Sequence, residues 1–91
     1  MGNAIQASAG TLESNDILVV ITPGDSPSPS VSLESIVMKQ FGPAILETIT
    51  QSLAEHGLDN VAVTAQDKGA LDCTIKARME AAILRYKELQ S

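Results

Sequence analysis

Ninety-one residues with a formal net charge of −5 make a small acidic chain, and that charge disfavours nucleic acid, whose affinity rests on neutralising phosphates. Phe41 and Tyr86 are the only aromatic residues, so the core must be aliphatic, and a domain of this size buries about two-thirds of its unfolded surface. The single cysteine, Cys73, leaves no internal disulfide, which suits a reducing compartment.

The chain starts without the basic and apolar regions of a signal peptide. Met1-Gly2 does not make a myristoylation motif, which wants Ser or Thr where Gln6 stands. The longest purely aliphatic run, Ile17 to Ile21, is far too short to cross a bilayer. The expectation is a soluble cytoplasmic protein forming one domain over residues 1–91, with no membrane contact.

The first unit reads as a β-hairpin, roughly residues 6–13 and 17–22. Between its apolar runs stands Ser14-Asn15-Asp16, which is turn chemistry: short Asn and Asp side chains bond nearby backbone and tolerate left-handed dihedrals. Ser14 is therefore expected at the exposed tip. Residues 23–30 then carry Pro23, Pro27 and Pro29 among glycine and serines, and read as a break. The stretch 24–30 is expected to be an exposed loop that adds little stability. Val31-Ser32-Leu33-Glu34 alternates and fits a third strand.

Ser35 reads as an N-cap ahead of Ile36, and Val37, Phe41, Ile45, Ile49 and Leu53 recur at every fourth position to form one apolar helical stripe. Pro43 should bend that helix or mark its true first turn. Gly57 fits the residue just past its end. Asn60 to Gln66 alternates as a further strand, and Asp67-Lys68-Gly69 reads as a turn. Asp72 fits an N-cap, with Ile75, Met79, Ala82, Ile83, Tyr86 and Leu89 at helical spacing behind it. A second hairpin, residues 71–75 pairing back on 61–65, is the alternative. The fold class expected is α+β: a small, mainly antiparallel sheet with two amphipathic helices packed on one face.

No catalytic or metal site emerges from these residues. A nucleophilic serine needs a base within reach and an oxyanion hole. The one histidine, His56, falls at a helix C-terminus, where a cation suits the dipole, and no Gly-x-Ser-x-Gly elbow is present. One Cys and one His cannot build a structural zinc centre. Asp67 and Asp72 are accounted for by turn and cap chemistry, and Cys73 by burial as a small apolar residue. Charge is lopsided: eight acids and one base precede residue 68, whereas five bases and three acids follow from there. Lys68, Lys76, Arg78, Arg85 and Lys87 either form a solvated helix face or meet a partner subunit or phosphates.

Three segments in register carry a resemblance: Ala9-Gly10-Thr11-Leu12-Glu13-Ser14-Asn15-Asp16, then Lys39-Gln40-Phe41-Gly42, then Asp67-Lys68-Gly69-Ala70-Leu71-Asp72-Cys73 followed by Lys76-Ala77-Arg78 and Glu80-Ala81-Ala82. Together they cover about residues 9–85 and resemble the acyl carrier subunit, the gamma subunit, of citrate lyase. Pro43 departs from the more polar residue expected of that family. The resemblance implies that Ser14 carries phosphoribosyl-dephospho-coenzyme A through a phosphodiester, and that the arm's terminal thiol holds acetyl and citryl thioesters during cleavage of citrate to acetate and oxaloacetate. It implies as partners an alpha subunit (acyl transferase), a beta subunit (citryl lyase) and a transferase that installs the arm, with no catalysis by the carrier alone. Glu13 and Asp16 either keep the tip soluble or are read by that transferase. Two other readings stand beside it: the carrier subunit of a related complex such as malonate decarboxylase, and an unmodified protein-interaction module.

Overall fold

The computed structural model describes residues 5–90, so Met1-Gly2 lies outside the described part. Six elements follow one another: β1 (Ala7–Ala9), β2 (Ile17–Pro23), β3 (Ser30–Ser35), α1 (Met38–Glu55), β4 (Val61–Asp67) and α2 (Asp72–Gln90). The strands form one sheet in the order β1-β2-β4-β3. β2 runs antiparallel to β1 and to β4, while β3 pairs parallel with β4. That parallel pair follows from the connection, because a helix between two neighbouring strands returns the chain to its starting end. The class is α+β and mainly antiparallel, as the sequence predicts.

Strand alternation places Ile17, Val19 and Ile21 of β2 beside Val61, Val63 and Ala65 of β4 on one buried face. Both helices lie on it, α2 against β1 and β2, and α1 against β3 and α2. Ile45, Ile49 and Leu53 of α1 meet Ile75, Met79, Ala82, Ile83 and Tyr86 of α2 in the same core. Each fully buried aliphatic side chain contributes about 1.5–3 kcal/mol, which makes this single layer the main source of stability.

Several local expectations change. β1 is only three residues long, because Gly10 turns the chain with φ of 95° directly beside β2; a Cβ there would sit 1.8 Å from the Ile17 carbonyl oxygen. β2 includes Pro23, opposite Val61, and β1 has already ended its pairing at Ile21, so the missing N–H faces an open edge. α1 starts at Met38 with Val37 as N-cap. Ser35 is not that cap; its Oγ accepts from the Val37 N–H (3.0 Å) and donates to Asp67 Oδ2 (2.8 Å), tying the strand end to the helix start.

α1 continues through Pro43 as one helix, and Gly57 follows it with φ of 69°. α2 begins at Asp72, so residues 71–75 form no hairpin with β4. Asp72 is the first helical residue and not a cap. Its carboxylate accepts from Thr48 Oγ1 of α1 (2.8 Å) and pairs with Lys76 (3.3 Å). Cys73 is exposed, contrary to the buried role expected of it. Two residues before Ile75, at about 100° per residue, it falls on the opposite side of the helix from the core. Phe41, inside the apolar stripe of α1, is also exposed, because α2 does not reach over the first turns of α1. Residues 24–29 form an exposed or half-buried connection. Asn60 pins it: the Gly24 N–H donates to the Asn60 carbonyl (3.1 Å), and the Asn60 amide, oriented by its hydrogen bonds, donates to Ser26 O and Gly24 O.

Candidate attachment site

Ser14 lies in a turn whose ends are closed by a bond from the Asp16 N–H to the Glu13 carbonyl (3.2 Å). Asn15, the third residue of that turn, has φ of 66°, the left-handed value that Asn adopts with little strain. The turn is held from beside as well. The Asn15 N–H donates to the Lys68 carbonyl (2.8 Å) and the Lys68 N–H to the Asp16 carbonyl (2.9 Å), which extends the β2–β4 ladder past the strands.

Asp16 is the hub of the arrangement and is only 8% exposed. Its Oδ1 accepts from Arg78 Nε (3.0 Å) and from the Ile17 N–H (2.7 Å). Its Oδ2 accepts from Arg78 Nη2 (2.9 Å) and from Thr11 Oγ1 (2.7 Å). Thr11 Oγ1 in turn accepts from the Glu13 N–H (3.2 Å). The Arg78 fork, helped by the Thr11 hydroxyl and the Ile17 N–H, holds the Asp16 carboxyl far below the usual carboxylate range. Asp16 is thus ionised and engaged, and is not the free solubilising charge of the sequence reading.

Ser14 contrasts with its surroundings. It is exposed, and its Oγ makes no hydrogen bond to any described residue, although Thr11, Glu13, Asn15 and Asp16 around it are all tied down. Glu13 is likewise exposed. His56 caps the far end of α1, and a helix of 18 residues is about 27 Å long, so no imidazole approaches the Ser14 end of the sheet. Among the described residues no group of three or more His, Cys, Asp or Glu could hold a metal ion.

The basic residues of the C-terminal third are largely engaged within the molecule. Arg78 grips Asp16, Arg85 Nη1 donates to the Ser8 carbonyl (2.6 Å), Lys87 Nζ to the His56 carbonyl (2.7 Å), and Lys76 pairs with Asp72 in an exposed contact. Sequence reasoning missed the part Arg78 plays. The signal was present: Arg78 stands three residues after Ile75 and four before Ala82, on the stripe that faces the core, where a guanidinium requires a fixed partner.

The turn displays an exposed, unengaged hydroxyl on a small α+β domain, with the one histidine at the far end of α1. The class of protein follows from the comparisons. Residues 4–86 match the acyl carrier protein family described as malonate decarboxylase delta subunit (MdcD). The citrate lyase acyl carrier protein of Lacticaseibacillus casei (strain BL23) is 54% identical over 82 residues, spanning 90% of this chain and 80% of that one. That of Lactobacillus acidophilus is 52% identical over 84 residues, 92% and 86% of the two chains. Citrate lyase acyl carrier protein 2 of Salmonella paratyphi A is 45% identical over 82 residues, 90% and 84%. The chain belongs to this acyl carrier protein family, among the citrate lyase acyl carrier proteins. The fold recurs in a crystal structure of a Pseudomonas malonate decarboxylase hetero-tetramer in complex with malonate, with a TM-score of 0.73, 19% identity and coverage of 97% of this chain and 89% of that one.

Proposed function

We propose that this chain, residues 1–91 as one carrier domain, is the acyl carrier subunit of a citrate lyase and that Ser14 bears phosphoribosyl-dephospho-coenzyme A through a phosphodiester. The observation that carries the proposal is the free, exposed Ser14 Oγ on a turn held through its backbone and through the Asp16 carboxylate. The residues suit such a group. The hydroxyl is open to an approaching transferase, and phosphorylating it breaks no internal hydrogen bond. No carboxylate opposes the new phosphate freely from the turn interior, since Arg78 neutralises Asp16.

When attached, the group supplies a terminal thiol that holds acyl groups as thioesters. The protein's part is placement. Gly10, Asn15 and the Asp16–Arg78 pair fix the direction in which Ser14 points, so that the tether starts from a defined position. Tethering replaces free diffusion with a local concentration on the order of millimolar at each partner site. The chemistry then belongs to the arm and to an alpha acyl transferase and a beta citryl lyase, in a cytoplasmic complex that converts citrate to acetate and oxaloacetate. Among the described residues no helix is long and apolar enough to cross a membrane.

A second reading, the carrier subunit of a malonate decarboxylase, draws on the description of the matching family and on the shared fold. Reconstitution separates the two. Arm-bearing carrier is mixed in parallel with citrate lyase alpha and beta subunits and with malonate decarboxylase subunits. Restored citrate cleavage, lost with Ser14→Ala at unchanged circular dichroism, supports the first reading. Activity restored only in the malonate mixture replaces it with the second.

A further inference from the structure

At the Ser14 end of the molecule α1 and α2 part, leaving a groove of about 270 Å³ lined by Phe41, Ala44, Ile45, Ala70, Leu71 and Ile75, among others. Its two largest lips stand open to solvent, Phe41 at 54% and Leu71 at 69% exposure. Gly69 forms part of the same wall and touches the Ser14 turn: a Cβ on Gly69 would lie 3.7 Å from Asn15 Oδ1, and the preceding Lys68 carbonyl holds the Asn15 N–H. An attachment point and an apolar slot are therefore contiguous.

We propose that this groove holds the adenine ring of the arm on Ser14 and leaves the pantetheine end free to travel. The inference rests on the attachment proposed above. Along the arm from Ser14 come a phosphate, a ribose and then the adenosine, so the base is the first flat, weakly hydrated group within reach of the slot. The groove rejects the phosphates, since its walls are apolar and its one carboxylate is Asp72. It accepts a ring bearing an amine. Phe41 offers a stacking face, as aromatic side chains do for unpaired bases. The rim offers acceptors in the Asp72 carboxylate and the Gly69 and Ala70 carbonyls, and a donor in the Leu71 N–H; these three backbone groups pair with no described residue. With the base seated, the swinging part begins at the pyrophosphate and not at Ser14, which shortens the arm's reach and narrows the volume it samples.

The test uses isotope-labelled carrier co-expressed with its arm transferase, with the adduct located by tandem mass spectrometry in the same sample. Nuclear Overhauser contacts from the adenine H2 and H8 protons to the Phe41 ring and Leu71 methyls are expected, with amide shifts outside the modified turn itself, residues 11–16, confined to residues 37–45 and 69–75. Phe41→Ala, a change at an exposed position, should abolish those contacts, release the base to nucleotide-like fast relaxation, and leave the other amides in place. An adduct on Ser14 whose adenine shows no contact and relaxes freely overturns the inference alone. So does a groove that shifts only when a partner subunit is added. A Ser14 left bare in the presence of the transferase overturns the attachment and the inference together.

Discussion

Arg78 of α2 and Asp16 of the β1–β2 connection, 62 positions apart, form a two-pronged ion pair two residues from Ser14. The pair joins the turn to the helix that packs under the sheet, so the position of Ser14 is set by the core as well as by the bonds within its own loop.

Breaking this pair should loosen the turn before it unfolds the domain. Arg78→Met is expected to lower the melting temperature and to speed amide exchange at Asn15, Asp16 and Lys68 by ten-fold or more, with a smaller change at Val63 and Ala65. Arg78→Lys should restore only part of the protection, because an ammonium cannot reproduce the planar fork. Hydrogen exchange read residue by residue checks both variants. Equal acceleration in turn and core would contradict a local role.

The same pair fixes the sign of an acid response. The Asp16 carboxyl is held far below its ordinary value of 3.8, and Asp72 is lowered too by its bond from Thr48 and by Lys76. A depressed carboxyl adds stability that is complete above its unfolded value and is lost as pH falls toward its folded value. Denaturant midpoints should therefore hold steady from pH 7 to about 5 and decline below about pH 4. Asp16→Asn should start lower at neutral pH and show a flatter acid limb.

Backbone shape at the head of the loop is equally constrained. Gly10→Ala must accept both a positive φ and a Cβ 1.8 Å from a carbonyl oxygen, so it should cost well over 1 kcal/mol. Gly57→Ala has the same handedness problem with nothing within 4 Å, and about 1 kcal/mol is expected. Chemical denaturation that ranks the two the other way would show that the β1 exit relaxes.

Core and surface positions of the two helices should separate clearly. Ile49→Ala removes a fully buried side chain and should cost about 2–5 kcal/mol. Cys73→Ser, on the outer face of α2, should change stability by no more than about 0.5 kcal/mol. A large loss from Cys73→Ser would return the thiol to the core.

Much of the architecture was legible because it is periodic. Ile75, Met79, Ala82, Ile83 and Tyr86 announce α2, the alternation at 61–65 announces β4, and Ser14-Asn15 announces the turn. What escaped is what periodicity does not encode. Phe41 and Leu89 continue their stripes past the point where a neighbouring element covers them. Ser35 has the chemistry of a cap, but it ends β3 with its hydroxyl bonded to Asp67, and the helix starts only at Met38. The Asp16–Arg78 pair joins segments from opposite ends of the chain. Local reading took its two members separately, as a tip charge and a docking charge.

The central claim is that Ser14 is the attachment point. Its most direct test is intact and tandem mass spectrometry of the carrier made together with its arm transferase, beside Ser14→Ala made the same way. A single adduct of the mass of phosphoribosyl-dephospho-coenzyme A on the peptide containing Ser14, absent from a folded Ser14→Ala protein, is expected. An adduct that persists in Ser14→Ala, or that maps to one of the serines between 26 and 35, would contradict the account.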